Sequence, residues 1–207
     1  MELRAIRPIN AGDEISVSYV AQWKARSKRQ DELKATYNFT CCCPACEPPS
    51  PKKSRTTKSK STKLMSEKRA VIAASDGRRM LISSSMAISD GLWEQWAAPT
   101  SSLPSTKIVE FHEGVLLLRA EEGYRKGSEI NIAYLAHAYA ALGDREGFTH
   151  WSTKLMEWRP WGPGPTGLAR RATWERWVED PTLSPAWGLR GTGNSQIFLS
   201  RRQVPAF

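Results

Sequence analysis

The segment from residue 47 to residue 63 contains no aliphatic and no aromatic side chain. Such a segment buries too little apolar surface to offset the entropy lost on ordering, so we predict a disordered linker there. The linker separates a mixed segment over 1–46 from a predicted helical domain over 64–158. A tail over 159–207, rich in Gly, Pro and Trp, follows. A chain of 207 residues accommodates one ordinary domain or two small ones.

The linker also carries much of the positive charge of the chain. Its six Lys or Arg side chains and one Glu leave a net charge of +5, out of +9 for the whole chain. A solvated basic loop, a nuclear-import patch and a weak contact to nucleic acid phosphates are three interpretations of this charge. No apolar run approaches the length of about 20 residues that spans a bilayer, and the first residues lack a signal region. We therefore expect an intracellular protein, nuclear or cytoplasmic, without a membrane partner.

Three windows between residues 108 and 158 repeat apolar side chains at helical spacing, which predicts three helices. The faces of these helices are Ile108, Phe111, Val115 and Leu118; Ile132, Leu135, Ala136 and Tyr139; and Phe148, Trp151, Leu155 and Trp158. The second helix, ending at Gly143-Asp144, resembles the first helix of a tetratricopeptide-type hairpin, and 145–158 would be its second helix. One hairpin is too short for a self-standing array, so we expect it to pack on something else.

Two further expectations concern the histidines and the tail. His112, His137 and His150 have no partner at ligand spacing, so surface or partly packed positions are expected for them. The Gly- and Pro-rich tail predicts only short ordered pieces. Trp174 and Trp177 lie at the spacing of one helical turn, and they are expected to pin the tail to a neighbouring surface.

The first 20 residues alternate in the manner of a β-hairpin. A strand is predicted before a turn at 10–13, and a second strand over 14–20 places Ile15, Val17 and Tyr19 on one face. A helical stretch rich in Lys, Arg and Gln, from Ala21 to Tyr37, follows. The predicted fold class is therefore α+β, with a small hairpin before the helical, tetratricopeptide-like part and the irregular tail.

All four cysteines of the chain lie within six residues, at 41, 42, 43 and 46. Dispersed cysteines are typical of a disulfide framework, whereas cysteines packed together in an intracellular chain indicate a metal site. The cysteine cluster therefore predicts a metal site.

These features follow one another in the order found at the C-terminal end of a SET domain, and the chain resembles that family of protein-lysine methyltransferases over about residues 3–46. The helical region after a basic linker also resembles the SET–MYND branch and related fungal SET proteins. The matching residues are Ala5-Ile6-Arg7-Pro8-Ile9, Gly12-Asp13-Glu14-Ile15, Ser18-Tyr19, Arg29-Gln30 with Leu33, and Tyr37-Asn38-Phe39 with the cysteines that follow.

The resemblance implies a role for each matching site residue. Tyr19 matches the tyrosine that orients the target lysine amine toward the methyl group of S-adenosylmethionine, and it is the candidate catalytic residue. Phe39 matches an aromatic residue at the cofactor or lysine channel; the other interpretation is a plain core aromatic. Cys41, Cys43 and Cys46 match the three zinc thiolates of the post-SET element, whose fourth ligand in the family is an upstream cysteine. Zinc prefers four ligands. Cys42 is a poor substitute for the fourth, because adjacent residues of an extended chain point to opposite sides.

The family's cofactor-binding motifs do not occur in these residues. The Asn-His pair is not found, and the two Gly-x-Gly matches, at 162–164 and 191–193, lie in the Pro-rich tail. We therefore expect a truncated SET-family chain, related to an enzyme but inactive alone, with incomplete sites for S-adenosylmethionine and zinc. The alternatives are a helical protein-interaction module with a vestigial SET segment and a basic protein associated with nucleic acid.

Overall fold

The computed structural model describes residues 9–13, 17–43, 45–47, 59–123, 127–158 and 164–190. Within these ranges the chain forms six α-helices and one short 3-10 helix. In chain order they are α1 (Arg26–Tyr37), α2 (Ser59–Ala97), α3 (Lys107–Glu121), α4 (Ser128–Leu142), α5 (Arg145–Trp158), α6 (Pro165–Glu179) and η1 (Pro181–Leu183).

The predicted α+β class is wrong, because no residue in the described ranges belongs to a strand. The turn of the predicted hairpin is present: the Asp13 N–H donates to the Asn10 carbonyl at 3.1 Å, and Gly12 has a φ of 90°. Val17 and Tyr19, however, are 63% and 58% exposed. A strand needs a partner strand, and none pairs with Val17 or Tyr19 among the residues that the structure describes. Residues 1–8 and 14–16, which would complete the hairpin, lie outside the described ranges.

The predicted helix from Ala21 to Tyr37 is present as α1 but begins later, at Arg26. Residues 21–24 form a turn, and Ala25 is extended with a ψ of 152°. Ala25 offers no side-chain cap, but the Asp76 carboxylate of α2 accepts from the Arg26 N–H at 2.6 Å. The cap satisfies one free donor of the first turn and places negative charge at the helix N-terminus.

The chain divides into two compact units, and α2 and α3 each contribute residues to both. Unit 1 comprises Met1–Ala87 and Leu118–Tyr124. It contains a buried carboxylate, Glu122, whose side chain is 3% exposed. Glu122 accepts hydrogen bonds of 2.7 Å from Arg78 Nε and Ser75 Oγ, and it forms an ion pair with Arg79 Nη2 at 2.7 Å. Arg79 also donates to the carbonyl of Gln22, so this network connects the segment before α1 to α2.

Unit 2 comprises Ile88–Leu117 and Arg125–Phe207, and its core has two apolar clusters. The first contains Ile132, Ala133, Ala136, Ala140, Phe148, Leu155, Trp174 and Ala186. The second contains Trp93, Trp96, Ala97, Ile108, Tyr134, Ala138 and Ala141. Because α4 supplies residues to both clusters, it is the central helix of this unit. The helices predicted from the three periodic windows are confirmed as α3, α4 and α5.

Helix α5 has the bounds that were expected for the second helix of the predicted hairpin, Arg145–Trp158. The helix α4 ends at Gly143, which has a φ of 73°, and the Asp144 N–H donates back to the Tyr139 carbonyl at 2.9 Å. Every residue from Asn131 to Ala138 is buried. The first helix of a hairpin that binds a partner needs a free face, and α4 has little free surface. The likeness to tetratricopeptide repeats therefore gains no support.

The tail is more ordered than its composition predicted. Helix α6 has 15 residues, with Pro165 at its start where a missing N–H is harmless. Trp174 and Trp177 lie one turn apart on α6 with ring centroids 5.1 Å apart, and both pack in the first cluster with Trp187. Beyond η1, the N–H groups of Gly188 and Arg190 donate to the carbonyls of Ala140 and Ala141, both at 2.8 Å. The irregular tail was thus a wrong prediction over 165–179, and 191–207 lie outside the described ranges.

Two of the three histidines are buried, contrary to expectation. His112 is 0% and His137 is 6% exposed, whereas His150 lies at the surface. The ring of His112 stacks on Tyr134 at 4.4 Å, and its Nδ1 lies 3.0 Å from the amide nitrogen of Asn131.

Among the described residues, no helix is long and apolar enough to cross a membrane. Helix α2 begins at Ser59, inside the segment predicted to be a disordered linker, and the domain boundaries stay predictions.

Candidate metal and aromatic site

The cysteine loop begins where α1 ends. Asn38 takes the left-handed conformation with a φ of 54°, and its N–H donates to the Lys34 carbonyl at 3.1 Å. This single positive φ ends the helix and redirects the chain, a conformation that Asn tolerates better than most residues. Phe39 and the cysteines follow at once, so the end of α1 sets the direction of the whole loop.

Three of the four cysteines converge. The Sγ atoms of Cys41, Cys43 and Cys46 all lie within 4.8 Å of one another. Tight hydrogen bonds bring the last of them back: the Cys46 and Glu47 N–H groups donate to the Cys43 carbonyl at 2.8 and 2.7 Å. Cys46 is 3% exposed, whereas Cys43 is exposed. The expectation that these three thiols act together therefore has a geometric basis, although bound metal stays a prediction.

Cys42 does not join this triplet. Its thiol is exposed and points to the carbonyl of Thr40, at 3.8 Å from Sγ. This agrees with the expectation that adjacent residues of an extended segment face opposite sides. In the described part of the chain, the grouping of potential metal ligands holds the three thiols alone. A fourth protein ligand is not present there.

Helix α1 holds both ends of the loop. The Gln30 side chain accepts from the Cys41 N–H at 3.0 Å and donates to the Cys41 carbonyl at 2.7 Å. Arg29 donates to the Ala45 carbonyl at 2.9 Å, and Arg26 donates to the carbonyl of Cys46. The loop is therefore held by side chains of a regular helix, which positions ligands more accurately than a free loop.

Two of the thiols differ in acidity. Burial raises the pKa of the Cys41 thiol to about 11. Burial also acts to raise the pKa of Cys43, but hydrogen bonds from the Cys41 thiol and from the N–H groups of Cys46 and Ala45 outweigh it and lower that pKa. Because the thiolate is the form that binds metal, Cys43 loses its proton more readily than Cys41.

This donor set fits a zinc ion. Tetrahedral zinc with Zn–S distances of about 2.3 Å separates its sulfurs by about 3.8 Å, and the three Sγ atoms are within 4.8 Å of each other. A movement of about 1 Å would bring the thiols to coordination distance. Thiolate is also among the ligands that zinc prefers, and three thiolates leave one of the four coordination positions for another donor.

Tyr37 and Phe39, which directly precede the thiols along the chain, form an aromatic cluster with Tyr19 from the segment before α1. The ring of Tyr19 lies 5.1 Å from that of Tyr37 and 6.0 Å from that of Phe39, and Tyr37 and Phe39 are 6.4 Å apart. All three rings are partly open to solvent, at 58%, 47% and 38% exposure. The structure thus brings together Tyr19 and Phe39, the candidate catalytic and cofactor-binding residues, although 19 residues lie between them. Their roles stay predictions.

Three residues of this site were part of the matching motif but were not predicted to act in it. Tyr37 completes the aromatic cluster, and Gln30 and Arg29 hold the cysteine loop. The available signal was helical spacing: Arg29 and Leu33, the two buried residues of α1, lie one turn apart. A buried arginine in a polar helix requires several acceptors, and the nearby loop carbonyls were the natural candidates.

The comparisons with known proteins concern one short stretch. Over 46 residues, 22% of this chain, it is 44% identical to a SET and MYND domain-containing protein of Dictyostelium discoideum, covering 11% of that protein. A second such protein of that organism is 39% identical over 46 residues, covering 12%. The N-lysine methyltransferase SMYD2-A of Xenopus laevis is 42% identical over 45 residues, covering 10% of its length. The match thus covers about a tenth of each curated relative.

No family profile and no solved structure matches the chain. The similarity is nevertheless consistent among relatives of the same kind, with identities of 39% to 44% in these three proteins. One short region of this chain is therefore related to SET and MYND domain proteins.

Proposed function

We propose that residues 17–46 are the C-terminal portion of a SET-type protein-lysine N-methyltransferase site. The observation that carries this proposal is the contact of Tyr19 with Phe39, with ring centroids 6.0 Å apart, where Phe39 lies two residues before the first of the three converging thiols. The SET resemblance assigns these same residues to the target-lysine and zinc parts of one site. The relation to proteins that include an N-lysine methyltransferase supports the same assignment.

In this proposal Cys41, Cys43 and Cys46 hold a structural zinc ion. The ion supplies a cross-link that fixes the loop after α1, and it thereby fixes Phe39 two residues earlier. Binding releases the thiol protons, so metal binding weakens as pH falls. Three thiolates bind zinc less tightly than a closed four-ligand set, and substoichiometric zinc after dialysis is the expected result.

Tyr19 has the proposed task of orienting a lysine amine. Its ring packs against Tyr37 and Phe39, which limits the movement of the hydroxyl, while 58% exposure leaves the side chain accessible. Positioning of a reacting amine is worth several kcal/mol of activation free energy when the geometry is held. The function of Tyr37 and Phe39 is then to hold this ring.

The 207 residues do not fit S-adenosylmethionine by themselves. Tyr19 and Phe39 form at most one wall of such a site, and the sequence contains no Asn-His pair and no Gly-x-Gly turn outside the Pro-rich tail. We therefore propose that this chain alone neither binds the cofactor nor transfers a methyl group. Activity requires a complementary SET portion that supplies the cofactor contacts.

Calorimetry and a methyl-transfer assay test this proposal. The 207-residue chain alone is expected to show no binding heat with S-adenosylmethionine and no transfer to histones or peptides. A chimera that joins it to the preceding SET portion of a Dictyostelium relative is expected to transfer methyl groups. Tyr19→Phe in this chimera is expected to reduce the rate by about 100-fold. Tyr37→Phe, which removes the neighbouring hydroxyl, is the matched control and should retain most of the rate.

Two outcomes would contradict the proposal. Transfer by the 207-residue chain alone, abolished by Tyr19→Phe, would show a complete enzyme. An active chimera with equal rates for the parent and Tyr19→Phe would remove Tyr19 from the site.

A further inference from the structure

Arg29 is a charged residue in a buried position. It is 4% exposed, and its guanidinium donates to the carbonyls of Lys24 at 2.5 Å and Ala45 at 2.9 Å. The third neighbour is the Cys46 sulfur, 3.8 Å from Nη2. Within the described ranges, no carboxylate forms an ion pair with Arg29. The polar neighbours of this permanent, buried positive charge are thus two carbonyls and one thiol.

A buried charge without a counter-ion is costly, and such groups normally pair with an opposite charge. The anionic groups available at this position are the thiolates of the cysteine loop. Three thiolates and one Zn²⁺ have a summed charge of −1, opposite in sign to the guanidinium of Arg29. Arg26 also donates to the carbonyl of Cys46, but Arg29 is the buried arginine of the two and contacts a ligand sulfur directly. The charge of Arg29 therefore suits an anionic metal–thiolate centre.

The geometry adds a second role to the charge. The same nitrogen, Nη2, contacts both the Ala45 carbonyl and Cys46 Sγ, so the guanidinium holds the backbone and the sulfur of adjacent residues. Its other terminal nitrogen binds the carbonyl of Lys24, before α1 begins. A planar, five-donor group makes these contacts at once, whereas an ammonium group at the end of a lysine does not.

We infer that Arg29 is a positioning residue of the metal centre, which fixes the Ala45–Cys46 end of the loop and supplies the countercharge of the metal–thiolate group. The inference rests on the zinc centre proposed above. It accounts for how a centre with three protein thiolates is stabilised here in the absence of a fourth thiolate. Gln30 holds the other end, at Cys41, through neutral hydrogen bonds only.

Two substitutions of similar length separate charge from packing. Arg29→Met retains an unbranched apolar stem and removes the charge, while Arg29→Lys retains the charge and removes the fork. Outer-shell partners of metal ligands typically contribute 10- to 100-fold in affinity. We expect Arg29→Met to weaken zinc binding by about that factor and Arg29→Lys to recover part of the loss. Lys28→Ala removes an exposed charge from the same helix and is the matched control, with affinity unchanged.

The experiment is a Co²⁺ titration of the full chain, in which thiolate-to-metal charge-transfer absorption reports the ligands, followed by competition with Zn²⁺ and a chromophoric chelator. Circular dichroism of each variant verifies that the helices are retained. The expected order of affinity is parent equal to Lys28→Ala, then Arg29→Lys, then Arg29→Met. If Arg29→Met does not fold, the comparison of Arg29→Lys with the parent and Lys28→Ala decides.

The outcomes distinguish the two claims. A parent chain that shows thiolate absorption, with both Arg29 variants within twofold of it, overturns the role of Arg29 and leaves the zinc centre standing. If Arg29→Met and Arg29→Lys lose the same amount of zinc affinity, the claim that Arg29 supplies the countercharge is overturned. A parent chain without thiolate absorption removes the zinc centre, and the inference about Arg29 with it.

Discussion

Gln30 and Cys41 are joined by a pair of reciprocal hydrogen bonds, from Cys41 N–H to Oε1 at 3.0 Å and from Nε2 to the Cys41 carbonyl at 2.7 Å. The amide side chain thus pairs with the loop backbone as a neighbouring strand would. It attaches the first cysteine of the triplet to α1, four residues beyond the end of that helix. Both donors and both acceptors of this pair are satisfied, which is the condition for such contacts to stabilise a loop.

The first prediction follows from this pair. Gln30→Ala removes both bonds, and each bond contributes about 0.5 to 1.5 kcal/mol. Hydrogen exchange at the Cys41 amide should therefore accelerate, by roughly 5-fold or more for a combined loss of about 1 to 3 kcal/mol. Exchange measured by NMR at this amide checks it. Asp31→Ala, at an exposed neighbouring position on α1, should leave the rate unchanged. Equal exchange rates in the parent and in Gln30→Ala would contradict the role of Gln30 in holding Cys41.

The second prediction concerns the buried carboxylate of unit 1. The Glu122 side chain is 3% exposed and forms ion pairs with two arginines, so Glu122→Gln removes the negative charge that these buried and half-buried arginines face. We expect a loss of about 3 kcal/mol or more in the free energy of unfolding. Glu121→Gln is the matched control: its side chain is 48% exposed and lies 3.5 Å from Arg78, so it should cost less than about 1 kcal/mol. Urea denaturation followed by circular dichroism compares the two variants with the parent. Similar unfolding midpoints for Glu122→Gln and Glu121→Gln would show that the buried network does not stabilise unit 1.

The third prediction is a loss of stability in mild acid. Burial lowers the pKa of His112 to about 3 and that of His137 to about 4. The unfolded chain protonates these rings near pH 6.5 and the folded chain does not. Their contribution is therefore complete above about pH 6.5 and declines as pH falls toward 4. Near pH 5, each histidine should cost about 2 kcal/mol relative to neutral pH.

Tryptophan fluorescence during urea denaturation near pH 7.5 and near pH 5 tests this dependence, because most tryptophans lie in unit 2. His112→Gln should be less stable at neutral pH but should lose about 2 kcal/mol less on acidification. His150→Gln, at the exposed histidine, should follow the parent at both pH values. An unchanged acid dependence in His112→Gln would exclude His112 as a cause.

The fourth prediction concerns the approach of α5 to α4. A Cβ atom added at Gly147 would lie 2.2 Å from Tyr139 Cδ1, closer than atoms pack, whereas Gly114 on α3 has open space at the same position. Gly147→Ala should therefore destabilise the chain by about 1 to 3 kcal/mol. Gly114→Ala should stabilise it by about 0.5 to 1 kcal/mol through the better helix propensity of alanine. Thermal unfolding measures both, and a stabilising Gly147→Ala would show that Tyr139 moves aside freely.

Helix positions and the cysteine spacing were predictable because both depend on near neighbours. The bonds of a helix connect residues four apart, so the periodic face from Ile108 to Leu118 predicts α3 without knowledge of its partners. The same holds for the turn at 10–13 and for the three thiols, which lie within six residues. The roles of Tyr19 and Phe39 were assigned separately, through the resemblance to a family, and they stay predictions; their contact was not predicted.

Tertiary structure alone decided the features that depend on distant surfaces. Val17 and Tyr19 alternate like a strand, but a strand forms only where a partner covers it, and these residues stay exposed. Helix α6 forms in a Gly- and Pro-rich tail because Trp174 has an apolar cluster to enter. The burial of His112 beside Tyr134, and of Arg29 beside Cys46, likewise depends on neighbours that local pattern does not specify. Local hydrogen bonding is encoded within a few residues, whereas burial depends on which surfaces the whole chain brings together.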